Sequence, residues 1–183
     1  RDDKVKKLFI SLLRAGDFIM QRPLLRGQLA FCEVHVLVND EFHQLEALYP
    51  EFKFHFFPRL SMQKLMNQPH SSLLKPLAVL RETIKALQNE NFTEIINLTH
   101  NRLSAFVMDQ VEAPLKRGLQ FSKDHFLPLE NDWQKYFNET FSQNLRSDAH
   151  YLTVLAKSLN LPVPRLFAPE DRSQKRIVYL QIF

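Results

Sequence analysis

Short apolar runs alternate with amphipathic stretches along the chain, and this alternation is the strongest constraint on its fold. The runs at residues 7–13, 34–38, 52–56, 94–98 and 115–121 have the length and apolar content of strands buried in a parallel sheet. Between them the apolar period changes to that of a helix. The stretch after the first run carries Ile19, Met20, Pro23 and Leu24, which places Pro23 inside the first turn or two. Asn39 or Asp40 is expected to cap a short helix ending at Leu48, before Pro50. A loop holding Pro58 and Pro69 then leads to a long helix from Ser71 or Ser72. Its Leu73, Leu77, Leu80, Ile84 and Leu87 share one face. Shorter helices are expected at about 102–109, 131–143 and 148–158, the second with a core face of Trp133, Tyr136, Phe137 and Phe141. Strands that alternate with helices imply an α/β, Rossmann-like, mostly parallel sheet with helices on both faces.

The segment Leu161-Pro-Val-Pro164 is extended and reads as a linker at a domain edge, so residues 1–164 form one domain. Residues 176–180 look like one further buried strand. No run of about 18 apolar residues occurs, and the charged start followed by a short apolar run reads as a strand rather than a signal peptide. Cys32 is the sole cysteine, which excludes an internal disulfide and fits a reducing compartment. The formal charge of +4 favours anionic partners, but the basic residues are dispersed, which argues against nucleic acid.

In a parallel sheet, ligands gather at the carboxyl ends of the strands. Three loops meet that condition: Arg14–Asp17, Asn39–Glu41 and Thr99–Arg102. The chain has three glycines, and Gly16 stands beside Asp17 in the first of these loops, where it would allow a tight turn and the close approach of a ligand. Asp17 has two readings. It could cap the following helix near its N-cap, or act as a general base on a ligand hydroxyl. The two roles compete, because N–H bonds to a carboxylate weaken it as a base. His100, Asn101 and Arg102 follow the fourth strand directly, and read either as a polar loop capping the next helix or as hydrogen-bonding groups for an anionic ligand. His35 and His55 fall within strands and read as satisfied interior residues. The seven histidines show no H-E-x-x-H spacing and no Cys partner, so no metal is expected. The G-x-G-x-x-G, G-x-x-x-x-G-K-[ST] and G-x-S-x-G patterns are all absent.

In order along the chain, these segments resemble the N-terminal half of the bacterial heptosyltransferases, glycosyltransferase family 9. The resemblance rests on Leu8-Phe-Ile-Ser-Leu-Leu-Arg-Ala-Gly-Asp17 followed by Pro23-Leu-Leu25, and on Val34-His-Val-Leu-Val-Asn-Asp-Glu41. It continues through Phe92-Thr-Glu-Ile-Ile-Asn-Leu98 with Arg102-Leu-Ser-Ala105, Lys116-Arg-Gly-Leu119, and His150 ahead of Leu159-Asn-Leu-Pro-Val-Pro164. It implies a GT-B fold, with the acceptor bound by this domain and the nucleotide sugar by a second. Residues 165–183 would then be a linker and the first strand of that donor domain, and the chain alone would be inactive.

The resemblance further implies an inverting transfer with Asp17 as base, and Arg14, Gly16, His100, Asn101 and Arg102 as substrate-binding candidates. The donor would be a nucleotide sugar such as ADP-heptose, with no other cofactor. The acceptor would be a lipopolysaccharide core or similar anionic, lipid-linked glycan, which suits a cytoplasmic bacterial protein peripheral to the inner membrane face. One departure stands out. Arg14 occupies a loop that in the family carries small hydroxylated residues, which opens the alternative of a non-catalytic module that binds a glycan or a protein.

Overall fold

The computed structural model describes residues 5–68, 72–122, 125–142 and 146–164. Five strands, β1 (Lys6–Ile10), β2 (Glu33–Asn39), β3 (Lys53–Phe57), β4 (Glu94–Asn97) and β5 (Leu115–Arg117), form a wholly parallel sheet in the order β3-β2-β1-β4-β5. Their helices are α1 (Ala15–Arg26), α2 (Gln44–Leu48), α3 (Arg59–Met66), α4 (Leu74–Gln88) and α5 (Arg102–Gln110). The antiparallel pair β6 (Phe121–Ser122) and β7 (His125–Phe126) follows, then α6 (Asp132–Ser142) and α7 (Tyr151–Ser158).

Strand periodicity divides the core into two layers. Phe9, Val34, Val36, Val38 and Phe54 pack with Phe18 and Leu25 of α1 and with Leu152 and Leu155 of α7. Leu8, Ile10, Leu37 and Phe57 pack on the other face against Leu87 of α4 and Val107 and Met108 of α5. The sheet is therefore covered on both sides, as expected from its unbroken apolar strands. At its amino edge, buried Glu94 pairs with Lys7 (2.7 Å) and Arg117 and so ties β4 to both neighbours.

Several local expectations are corrected. Helix α1 begins earlier than its apolar pattern suggests, so Pro23 lies in its last turns rather than its first. Pro23 and Ile19 are both exposed, and water can stand in for the missing N–H on that side. Asn39 and Asp40 do not cap α2. A 3₁₀ turn, Asp40–Phe42, precedes that helix, and the Asp40 carboxylate instead accepts the N–H groups of Leu60 (2.8 Å) and Ser61 (3.1 Å). That distant cap accounts for α3, which forms where a loop was expected.

In α4 the inward stripe is Pro76, Leu80, Ile84 and Leu87, while Leu73 and Leu77 are 68% and 56% exposed. The expected strand 115–121 stops at Arg117, because Gly118 takes φ +100°. Of the aromatic face on α6, Phe137 is buried and Tyr136 half-buried. Trp133 is exposed and covered by the Lys157 ammonium at 4.2 Å from its ring, and the side chain of Phe141 lies outside the described residues. Residues 161–164 carry no helix or strand, and the linker and strand expected over 165–183 lie outside the described residues.

Gly118 and Gly16 give opposite predictions. A Cβ at Gly118 would stand 2.6 Å from the Asn97 carbonyl oxygen at a positive φ, whereas one at Gly16 would meet nothing within 4 Å. Gly118→Ala should therefore lose on the order of 2 kcal/mol or more in urea unfolding. Gly16→Ala should hold or gain about 0.5–1 kcal/mol, as expected for a helical position.

Candidate functional site

The strand order reverses between β1 and β4, which are neighbours in the middle of the sheet although β2 and β3 intervene in sequence. Such a switch point leaves a crevice at the carboxyl ends of the two strands, because their following loops turn to opposite faces. Here those loops are Ser11–Arg14 and Leu98–Asn101.

The first loop is fixed from both sides. On the β4 side, the Thr99 hydroxyl accepts the Leu12 N–H (3.0 Å) and donates to the Ile10 carbonyl (3.3 Å). Asn97 Oδ1 in turn accepts the Thr99 N–H, and the Ser104 hydroxyl donates to the Thr99 carbonyl. On the β2 side, Asn39 Nδ2 donates to the Leu13 carbonyl at 3.1 Å. Thr99 and Ser104 are fully buried, so these bonds act where water does not compete with them.

Asp17 stands at the third position of α1, not at its N-cap, which is Arg14. Its Oδ2 accepts the Arg14 backbone N–H at 3.1 Å, so the carboxylate reaches back to cap the helix start. The Asp17 side chain is half-exposed, and Arg14 and Gly16 are exposed. Gly16 lies within the helix with no positive φ. The tight turn expected of it is absent, and its contribution is open space beside Asp17.

One turn further, on the same side of α1, lies Gln21, a buried polar residue that no sequence motif marks. Its Oε1 accepts the Ser11 hydroxyl (2.7 Å), and its Nε2 donates to the Tyr151 hydroxyl (2.9 Å). Ser11, Gln21 and Tyr151 thus join the β1 loop, α1 and α7. Burial, together with the nearby Asp17 charge, raises the Tyr151 phenol above its ordinary value, so it is a neutral O–H at physiological pH. A lone glutamine among the apolar positions of α1, four residues after Asp17, was the available signal.

On the other side of the crevice, the His100 ring lies 4.2 Å from that of Phe137, which itself stands 6.0 Å from Tyr151. Burial lowers His100 to about 4. The imidazole is therefore neutral, with one N–H donor and one acceptor, and both ring nitrogens are buried without a hydrogen-bond partner. The other two candidates in this loop make contacts within the chain. Asn101 Oδ1 caps α5 by accepting the Ser104 N–H at 2.9 Å, and the Arg102 guanidinium sits 5.5 Å from the Phe121 ring. The only group of metal-ligating side chains among the described residues, His35, His55 and Glu90, lies at the opposite end of the sheet.

No protein-family model and no curated protein sequence matches the chain. Solved structures do. The chain is similar over 88% of its length to E. coli heptosyltransferase WaaC with ADP-2-deoxy-2-fluoro heptose, at TM-score 0.56 and 16% identity, and this covers 50% of that chain. It is similar over 90% of its length to a glycosyl transferase family 9 protein from Veillonella parvula DSM 2008, at TM-score 0.58 and 16% identity, covering 43% of that chain. A second WaaC structure, with ADP, matches at TM-score 0.55 and 15% identity over 88% of this chain and 49% of that one. The fold is heptosyltransferase-like. The chain spans half or less of the length of these proteins.

The buried histidines set a pH dependence. His100 and His55 each titrate at about 4 in the fold, against an ordinary value of 6.5. Between those values the unfolded chain binds more protons than the native one. Their contribution is complete above pH 6.5 and is lost as pH falls towards 4. Urea midpoints should drop across that window, and His100→Gln should make the fall less steep.

Proposed function

We propose that this chain is the acceptor-side, N-terminal half of an inverting glycosyltransferase. Its donor would be a nucleotide sugar of the ADP-heptose kind, and its acceptor a lipopolysaccharide core or a similar anionic glycan. The observation that carries this reading is the position of Asp17. A half-exposed carboxylate stands at the mouth of a switch-point crevice, in a fold shared with heptosyltransferases.

In this reading the acceptor hydroxyl lies between Asp17 and His100. Asp17 Oδ2 is engaged by the Arg14 N–H, which leaves proton abstraction to Oδ1. As the proton passes to the carboxylate, the acceptor oxygen bonds to the anomeric carbon from the face opposite the nucleoside diphosphate. The C–O bond to the diphosphate breaks, and its electron pair leaves with the phosphate. Neutral His100, whose nitrogens are shielded in the free chain, turns towards a bound sugar hydroxyl and recovers the ~1–3 kcal/mol that an unpaired buried group costs. Arg14 and the N–H groups at the start of α1 favour the negative charge of a phosphorylated core or of the departing diphosphate. The donor belongs on a facing domain, so acceptor binding is the task of the residues described. With a lipid-linked acceptor, the protein would work peripherally at the cytoplasmic face of the membrane.

A second reading, a non-catalytic glycan-binding module, is favoured by the Asp17–Arg14 bond, since a carboxylate used as a helix cap needs no further role. Asp17→Asn separates the two, because the amide oxygen can still cap while its basicity is lost. In the full-length protein, the transferase reading expects kcat to fall by about 10²–10⁴ with thermal stability nearly unchanged. Transfer at the wild-type rate would remove Asp17 as the base, and glycan binding without turnover in the wild type would support the module.

A further inference from the structure

At the amino end of the sheet, away from the crevice, two histidines face each other across neighbouring strands. β2 and β3 pair with His35 opposite Lys53 and Leu37 opposite His55, so the two histidines are diagonal neighbours on one face of the sheet. That face carries α4, and Glu90 reaches the same place from the turn after that helix. His35 Nδ1 and His55 Nε2 are 2.8 Å apart, and one ligand atom from each of His35, His55 and Glu90 falls within 4.8 Å of the others.

We propose that His35 Nδ1, His55 Nε2 and a Glu90 carboxylate oxygen form a binding site for a divalent zinc-type cation. Two imidazoles and one carboxylate are a common zinc donor set, with a fourth position open to water. The surroundings suit coordination in three ways. The other nitrogen of His35, Nε2, lies 2.7 Å from Glu33 Oε1, and such a bond presents Nδ1 to an ion as a lone pair. His35 is buried and His55 half-buried, so an ion held between them would be largely shielded from water. Phe92 stands edge-on to both rings, 5.1 and 6.0 Å away, and limits their rotation.

Access comes from the β3 side, where His55 borders an open groove with Phe56, Glu82 and Thr83. Two lysines lie close by, each already paired: Lys6 with Glu90 Oε2 (2.8 Å) and Lys53 with Glu33 Oε1 (2.9 Å). Glu90 can coordinate through its other oxygen while Oε2 keeps Lys6. The rings must separate slightly, because nitrogens bound tetrahedrally to zinc stand about 3.3 Å apart. No motif spacing marks the site, because its histidines are twenty residues apart and meet only through strand pairing.

The test uses the full chain freed of metal by a chelator. Zn²⁺ titration by calorimetry should give one site per chain, and Co²⁺ should develop the visible absorption of a four- or five-coordinate ion. Zn²⁺ should also raise Tm in proportion to its saturation. His55→Gln and the half-exposed Glu90→Gln should each weaken binding at least ~10-fold and abolish the Tm rise, while His125→Gln on the exposed β7 should change neither. Should His55→Gln prove unstable, Glu90→Gln decides alone. Absence of saturable binding in the wild type, or wild-type affinity in Glu90→Gln, overturns the site.

Discussion

The Thr99 hydroxyl joins the two strands on which the site depends. It accepts from Leu12 and donates to Ile10, and so closes the gap between the end of β1 and the loop after β4. Neither loop could hold this shape alone, since each supplies backbone groups that the other satisfies. With the loop held at this level, α1 must start at Ala15, and Asp17 is carried to the mouth of the crevice. Asn39 repeats the arrangement on the β2 side, so the strands flanking β1 both restrain the same short loop. A carboxylate on such a support is presented with little freedom to move, which is what positioning a reactive group requires.

Different constraints meet around α1. Its apolar side is held by Phe18, Leu24 and Leu25 in the core, while Gln21 uses a position that would otherwise carry a hydrocarbon. A buried amide is tolerable because both ends of its side chain are bonded, to Ser11 and to Tyr151. The result is a polar seam through a packed interface, directly behind Asp17. Across the crevice, His100 is a different case, since its buried nitrogens have no such bonds. The bonded ends of Gln21 on one wall and the unpaired His100 nitrogens on the other set the two sides of the crevice apart.

The strands were legible in the sequence because a buried parallel strand is a local signal: a short apolar run between helical patterns. Alternation gave the fold class, and the carboxyl-end rule led to the loops bearing Asp17 and His100. Boundaries failed where a distant residue decides them. Nothing near Arg59 announces α3, because its cap is Asp40, and the apolar residues expected on one face of α4 divide, with Leu73 and Leu77 exposed. Gln21 and Tyr151 carried no joint signal, being brought together only by the docking of α7 on α1. Asn101 also caps α5 and Arg102 lies over the Phe121 ring, contacts that chain order cannot reveal because it does not show which way a side chain turns.

The seam between α1 and α7 also orders events in time. Gln21 and Tyr151 are separated by 130 residues, so during synthesis the amide is made long before the phenol that completes it. When the first βαβ unit has left the ribosome, its own Ser11 can bond to one end of the glutamine, but the other end must remain wet. The wall behind Asp17 can dry and set only once α7 arrives, so α1, made well before it, must wait for α7 to finish its part of the site.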